Sequence, residues 1–210
     1  MNDKIDYVEP LKKFLWPNKY ATASREHLEA LGVISLNFNV YEHSLLIFLE
    51  ESLLKEVAGF LFHKLNNEDR AKLIRLLMKD DPQLGDEIEY LLAHFSTCAE
   101  NRHNLLHSRM VAPHGDILAL EKFARKEPGK ILEFQLKVGD LRRTADEMYA
   151  GFEFVFNLWH FMERRRKYHL DLAISLDGSM PPPDPATLPL LPKRPRAPRK
   201  INPNQSIGSA

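Results

Sequence analysis

The chain has 210 residues, 44% of them hydrophobic, with 29 Lys and Arg balancing 29 Asp and Glu, which suits one well-packed domain and gives no global pull toward nucleic acid. Its lone cysteine, Cys98, excludes an internal disulfide. With neither a charged-then-apolar leader nor a long uncharged apolar run, a soluble, cytoplasmic protein without a membrane partner is expected.

Residues 1–23 read as an N-terminal extension. From Ser24, a suitable N-cap, the residues Leu31, Ile34, Phe38, Tyr41, Leu45 and Phe48 recur in steps of three and four and predict a first long amphipathic helix. A second helix is predicted over roughly 53–64. A third starts near Asn66 or Asn67, where Glu68 and Asp69 complement the positive helix start, and runs to about Lys79. Asp81-Pro82 then offers an N-cap and a first helical residue for a long helix that ends near Arg109. Beyond it the period changes to two. Leu132, Phe134, Leu136 and Val138 alternate with Glu133, Gln135 and Lys137, and Glu127-Pro128-Gly129-Lys130 supplies a turn from the run Ile117 to Phe123, so a small β-hairpin is predicted. Helical spacing returns with Leu141, Ala145, Met148, Phe152, Val155, Leu158 and Met162, closing on the basic run Arg164-Arg165-Arg166-Lys167 at a helix end. The expectation over residues 24–170 is an all-α fold, an antiparallel helical bundle with one hairpin inserted before the last long helix. Residues 177–210 are proline-rich and carry Lys193, Arg194, Arg196, Arg199 and Lys200, the composition of a disordered basic tail.

The candidate chemistry lies where the long helix breaks its own pattern. Leu84, Ile88, Leu91, Phe95 and Ala99 trace one buried stripe, and the next position on it is Arg102. An arginine aimed at a core keeps its charge and needs partners for five donors, so an acid or a bound anion is expected to meet it. Glu42, in line with Phe38, Leu45 and Leu49 on the first helix, is a candidate acid. Around Arg102 the sequence reads Glu100-Asn101-Arg102-His103-Asn104-Leu105-Leu106-His107. On a regular helix positions 102 and 107 point roughly 140° apart, so either the helix distorts near its end or each residue lines one edge of a groove completed by a second subunit.

Metal binding is a rival for the same residues, because Glu100 and His103 have Glu-x-x-His spacing and His107 extends their face. Such a site needs a second copy, and neither Glu147 nor Glu163 is followed by histidine at that spacing, so no metal is expected. The chain also lacks a glycine-rich phosphate loop, a paired-cysteine motif and a nucleophile elbow, so no small-molecule cofactor is expected. Cys98 reads as core. His94, His114, His160 and His169 read as surface or core histidines, and Phe154, Phe156 and Trp159 as core or dimer surface.

Arg102, the polar His103 after it and His107 on the last part of a bundle helix resemble the R-x4-6-H signature of the HEPN superfamily, with paired long helices before the motif and one after it over about residues 25–168. Asn104 stands one place beyond the asparagine that often follows the arginine. The resemblance implies metal-independent RNA cleavage at a groove where the motifs of two subunits meet. It implies His107 as the proton carrier, Arg102 as the phosphate clamp, and His103 and Asn104 as further phosphate or sugar ligands. RNA substrate, a homodimer, and an antitoxin or regulatory protein are the partners it suggests. Some toxin members carry a tyrosine two places after the histidine. Here that position is Arg109, which suits phosphate binding instead. The competing class is a non-catalytic dimerisation or protein-interaction module, with Arg102 a buried ion pair.

Overall fold

A computed structural model describes residues 25–81, 83–114, 117–123, 129–174 and 189–196. They are mostly helical, with a small three-stranded antiparallel sheet. Helix α1 spans Arg25–Ser44, α2 Leu46–Glu50, α3 Lys55–Lys64, α4 Asn67–Met78, α5 Gly85–Leu106 and α6 Val138–Ile174; strands β1 (Arg109–His114), β2 (Ile117–Phe123) and β3 (Ile131–Lys137) lie between the last two helices.

The long helices form where apolar spacing of three and four is sustained. Ile34, Phe38 and Tyr41 of α1 are buried against Leu91 and Phe95 of α5 and against Met148 and Val155 of α6 in one core cluster. Tyr41 meets Phe95 edge-on at 5.3 Å between ring centroids, and the Phe38 ring stacks on Phe95 at 5.6 Å. Asn37 Nδ2 donates to the Ala145 carbonyl at 3.0 Å, and the Trp159 indole donates to Glu51 at 3.3 Å, so α1 and α6 run in the same direction. Tyr90 against Phe154 and Asp81 against Arg165 make α5 antiparallel to α6.

Helix boundaries differ from the sequence expectation where side chains compete for the backbone. The first helix does not run unbroken to Phe48. Ser44 Oγ donates back to the Tyr41 carbonyl at 2.7 Å, and the Leu45 amide reaches the Glu42 carbonyl at 3.3 Å, which interrupts the ladder before α2. The expected N-cap Ser24 lies outside the described residues. Asn66 does cap α4, accepting from the Asp69 amide at 3.0 Å. Helix α5 begins at Gly85 rather than after Asp81. Asp81 instead accepts the Gln83 amide at 3.0 Å and binds the Arg165 guanidinium, with Nη1 at 2.9 Å from Oδ1, which holds its carboxyl below the usual range. The C-terminal correction is larger: α5 stops at Leu106, and Arg109 opens a third strand that the weak alternation of 109–114 did not signal.

Strand order is β1-β2-β3, with Arg109 opposite Glu121 and Leu120 opposite Phe134, so the expected hairpin is two strands of a three-stranded sheet. Leu118, Leu120, Phe134 and Leu136 turn into the core. Gly129, at φ +84°, supplies the left-handed residue of the β2–β3 connection. Val138 opens α6 rather than closing β3, because Asp140 accepts the Lys137 amide at 3.1 Å and secures the helix start there. Helix α6 continues to Ile174, so Arg164–Lys167 is not a helix end: Arg165 binds Asp81, and Arg166 Nη1 is 3.2 Å from Glu51.

Of the expected disordered tail, residues 177–188 and 197–210 lie outside the described residues, as does the N-terminal extension 1–23. Pro189–Arg196 has no regular secondary structure, yet it lies along α5 and α6 with hydrogen bonds to Tyr90, Asn101 and Glu147. Among the described residues no helix is long and apolar enough to cross a membrane.

Candidate active site at the end of helix α5

Helix α5 buries two stripes rather than one. Leu84, Ile88, Leu91 and Phe95 make one, with Phe95 against Phe38 and Tyr41 of α1, while His94, Cys98, Asn101 and Leu105, also in steps of four and three, make the other, with His94 against Gly151 of α6. Two neighbouring helices leave only a narrow solvent face, and that face carries Glu100, His103 and His107.

Arg102 continues the first stripe as its spacing requires and is half-buried. Its guanidinium carbon lies 5.7 Å from the centroid of the Phe38 ring, and Nη1 is 3.3 Å from His107 Nε2. The obstacle of opposed faces is removed by the helix ending. His107 is the C-cap at φ −108°, ψ 14°, its amide donating to the His103 carbonyl at 3.2 Å, so its imidazole swings back over the last turn. The rings of His103 and His107 are 4.8 Å apart between centroids. Because a guanidinium only donates, the Arg102 contact requires Nε2 as acceptor and places the imidazole proton on Nδ1. Arg102 Nε is buried and has no hydrogen-bond partner among the described residues.

The other expected site residues are held elsewhere. Glu42 does not neutralise Arg102; it binds Arg70 of α4 at 2.6 Å, and Arg70 also donates to the Phe62 carbonyl at 2.7 Å. That corrects the reading of Arg102 as one half of a buried ion pair with Glu42. Asn104 is buried and its Oδ1 accepts from Lys122 of β2 at 3.0 Å, joining α5 to the sheet. Arg109 binds Glu121 across the β1–β2 pair at 2.7 Å. Glu100 is exposed. The structure thus brings together Arg102, His103 and His107 and assigns Glu42, Asn104 and Arg109 to ties between elements. Among the described residues, no group of three or more His, Cys, Asp or Glu is arranged to hold a metal ion.

A second polar group, shared by α1 and α5, is internal. Tyr41 Oη and His94 Nδ1 are 3.1 Å apart, and Cys98 Sγ lies 3.7 Å from the same nitrogen. Burial lowers the His94 pKa to about 4 and, aided by the charge of Glu147, pushes the Cys98 thiol up to about 12; burial also raises Tyr41 well above its ordinary value. All three stay neutral over the physiological range, which makes Cys98 an inert core thiol. Asn101, a buried polar residue on the second stripe and absent from the expected site, is legible from its spacing after His94 and Cys98.

No family model, no curated protein and no solved structure matches the chain.

Proposed function

We propose that the chain is a HEPN-like helical bundle and a metal-independent endoribonuclease of the toxin or defence kind, active as a homodimer. The observation that carries this reading is the 3.3 Å approach of Arg102 Nη1 to His107 Nε2 at the solvent-facing end of α5. A permanent cation that lies over Phe38 and meets no carboxylate among the described residues can meet a phosphate. The imidazole beside it, with Nε2 unprotonated, has the form a general base needs.

In the proposed reaction His107 Nε2 takes the proton of a ribose 2′-hydroxyl. The 2′-oxygen bonds to phosphorus, the bond from phosphorus to the 5′-oxygen breaks, and the proton passes to that 5′-oxygen. The products are a 2′,3′-cyclic phosphate and a 5′-hydroxyl. Arg102 turns from His107 to the phosphate oxygens and holds the charge that develops on them. His103, whose ring adjoins His107, is a further phosphate or sugar ligand.

The homodimer is supported by apolar side chains left exposed on adjacent helices: Val33, Leu36 and Val40 of α1 and Tyr149 and Phe156 of α6. An antitoxin or regulatory protein is the partner class that belongs to a toxin.

The experiment is incubation of wild-type and His107→Ala protein with a mixed, end-labelled RNA in chelator. Cleavage that survives the chelator, leaves 2′,3′-cyclic phosphate ends and disappears in the variant supports the reading. A folded wild-type protein that leaves every RNA intact moves the function to a non-catalytic interaction module. That second reading is favoured by the commitment of Glu42, Asn104 and Arg109 to contacts between elements.

A further inference from the structure

On the side of α5 away from Phe38, residues Pro189–Arg196 occupy a groove between α5 and α6. The Tyr90 hydroxyl donates to the Pro192 carbonyl, and the Arg194 guanidinium lies 5.6 Å from the centroid of the Tyr90 ring. The Arg196 backbone is held at both ends: Asn101 Nδ2 donates to its carbonyl at 2.9 Å and Glu147 Oε2 accepts from its amide at 3.3 Å. From Tyr90 to Asn101 the helix rises about 16 Å. Four residues of strap, from Pro192 to Arg196, reach about 14 Å at most, less than that rise, so the segment runs near full extension with the Tyr90 and Asn101 side chains reaching inward to meet it.

The sequence of the strap explains how it does so without a partner strand. Pro189, Pro192 and Pro195 recur every third position, which is the period of a polyproline II helix and puts them on one ridge. These three are the residues of the strap that are half-buried, while Leu190, Leu191, Lys193, Arg194 and Arg196 are exposed. A ridge of prolines against a tyrosine-bearing groove, with backbone carbonyls as acceptors and a carboxylate at the basic end, is the chemistry by which proline-rich peptides are read.

We propose that the α5–α6 groove is a recognition site for an extended proline-rich basic peptide, with Pro189–Arg196 as its resident and displaceable occupant. Tyr90 reads the proline ridge, and Asn101 and Glu147 clamp one residue by its carbonyl and its amide. The competing ligand is a second segment of the same chemistry, the simplest being the strap of another copy of this chain. This inference is independent of RNA cleavage.

The test uses the full chain and a fluorescein-labelled peptide with the sequence of residues 187–198. In one variant the strap is disarmed by Pro189→Gly, Pro192→Gly and Pro195→Gly together, which leaves the groove intact. Saturable binding to this variant is expected, with wild type binding at least about tenfold more weakly because its own strap competes at an effective concentration in the millimolar range. Adding Tyr90→Phe and Glu147→Ala to the disarmed chain abolishes binding; circular dichroism confirms that the helices persist. A scrambled peptide of equal charge is the control. The proposal is overturned by absent binding to the disarmed chain up to about 1 mM peptide. It is overturned equally by unaltered binding after Tyr90→Phe and Glu147→Ala, by equal binding of the scrambled peptide, or by equal affinity in wild type.

Discussion

His94 and His107 lie on the same helical run, yet their surroundings give one imidazole to the core and leave the other to solvent. His94 is 2% exposed, faces α6 across the bare Cα of Gly151, and shares its Nδ1 with Tyr41 and Cys98. His107 stands where the helix has ended, its Nε2 on Arg102. Residue type says little here, and position relative to the helix end decides. An imidazole inside is fixed as a neutral packing group, whereas one at a C-cap keeps a nitrogen within reach of a ligand.

The sharpest way to separate the two is a pair of substitutions with opposite readouts. His107→Ala is expected to lower RNA cleavage by about 10²–10⁴-fold while leaving stability within about 0.5 kcal/mol. His94→Ala is expected to cost about 2 kcal/mol of stability and to leave cleavage per folded molecule unchanged. Cleavage rates and urea denaturation of both variants check it. An equal loss of cleavage in both would erase the distinction.

The next largest effect is that of acidity on the buried histidine. The folded-state pKa of His94 is depressed to about 4 from 6.5, so between those values the unfolded chain binds a proton that the folded chain refuses. Stability is therefore complete above about pH 6.5 and falls as pH drops toward about 4, by up to about 3 kcal/mol at about 1.4 kcal/mol per unit. Tyr41 and Cys98 are shifted the other way, so they add a loss above the pH at which the unfolded chain begins to ionise them. Urea midpoints from pH 4 to 8 read the acid limb, and His94→Ala flattens it if this histidine is its source.

The packing around His94 can be broken from the other helix. A Cβ at position 151 would come 2.4 Å from Tyr41 Cε1 and 2.8 Å from His94 Cε1. In an open helix Gly→Ala stabilises, but here the clash is with two interior rings that have nowhere to go. Gly151→Ala is expected to destabilise by about 2 kcal/mol, read as a lowered thermal midpoint. A gain in stability would mean that the two rings yield.

How much of this was legible follows from the same contrast. Apolar spacing alone located the long helices, because burying one stripe forces that period, and the α4 cap was readable from Asn66 and Asp69. The motif Arg102–His107 was visible, but its closure was not, since it depends on α5 stopping at Leu106 and no glycine or proline marks that stop. Partner choice was hidden too. Glu42 is in line for Arg102 along its own helix, but whether α4 offers Arg70 first is a matter of how three helices cross. The strap was hidden because composition reports what a proline-rich segment lacks, a core of its own, and not that Tyr90, Asn101 and Glu147 would supply one.

The smallest expected effect marks the edge of the candidate site. Arg109 lies just past His107 and would serve a phosphate if it faced the same way, but its Nη2 is 2.7 Å from Glu121 on the neighbouring strand. Its side chain is 79% exposed, and such pairs contribute little because water screens them. Arg109→Ala is expected to change stability by less than about 0.5 kcal/mol and to leave both the cleavage rate and its salt dependence as in wild type. A phosphate contact would give a different signature, a weaker apparent affinity for RNA and a salt slope reduced by about one. Measuring cleavage against salt concentration for wild type and Arg109→Ala distinguishes the two, and a reduced slope would extend the site from the end of α5 onto β1.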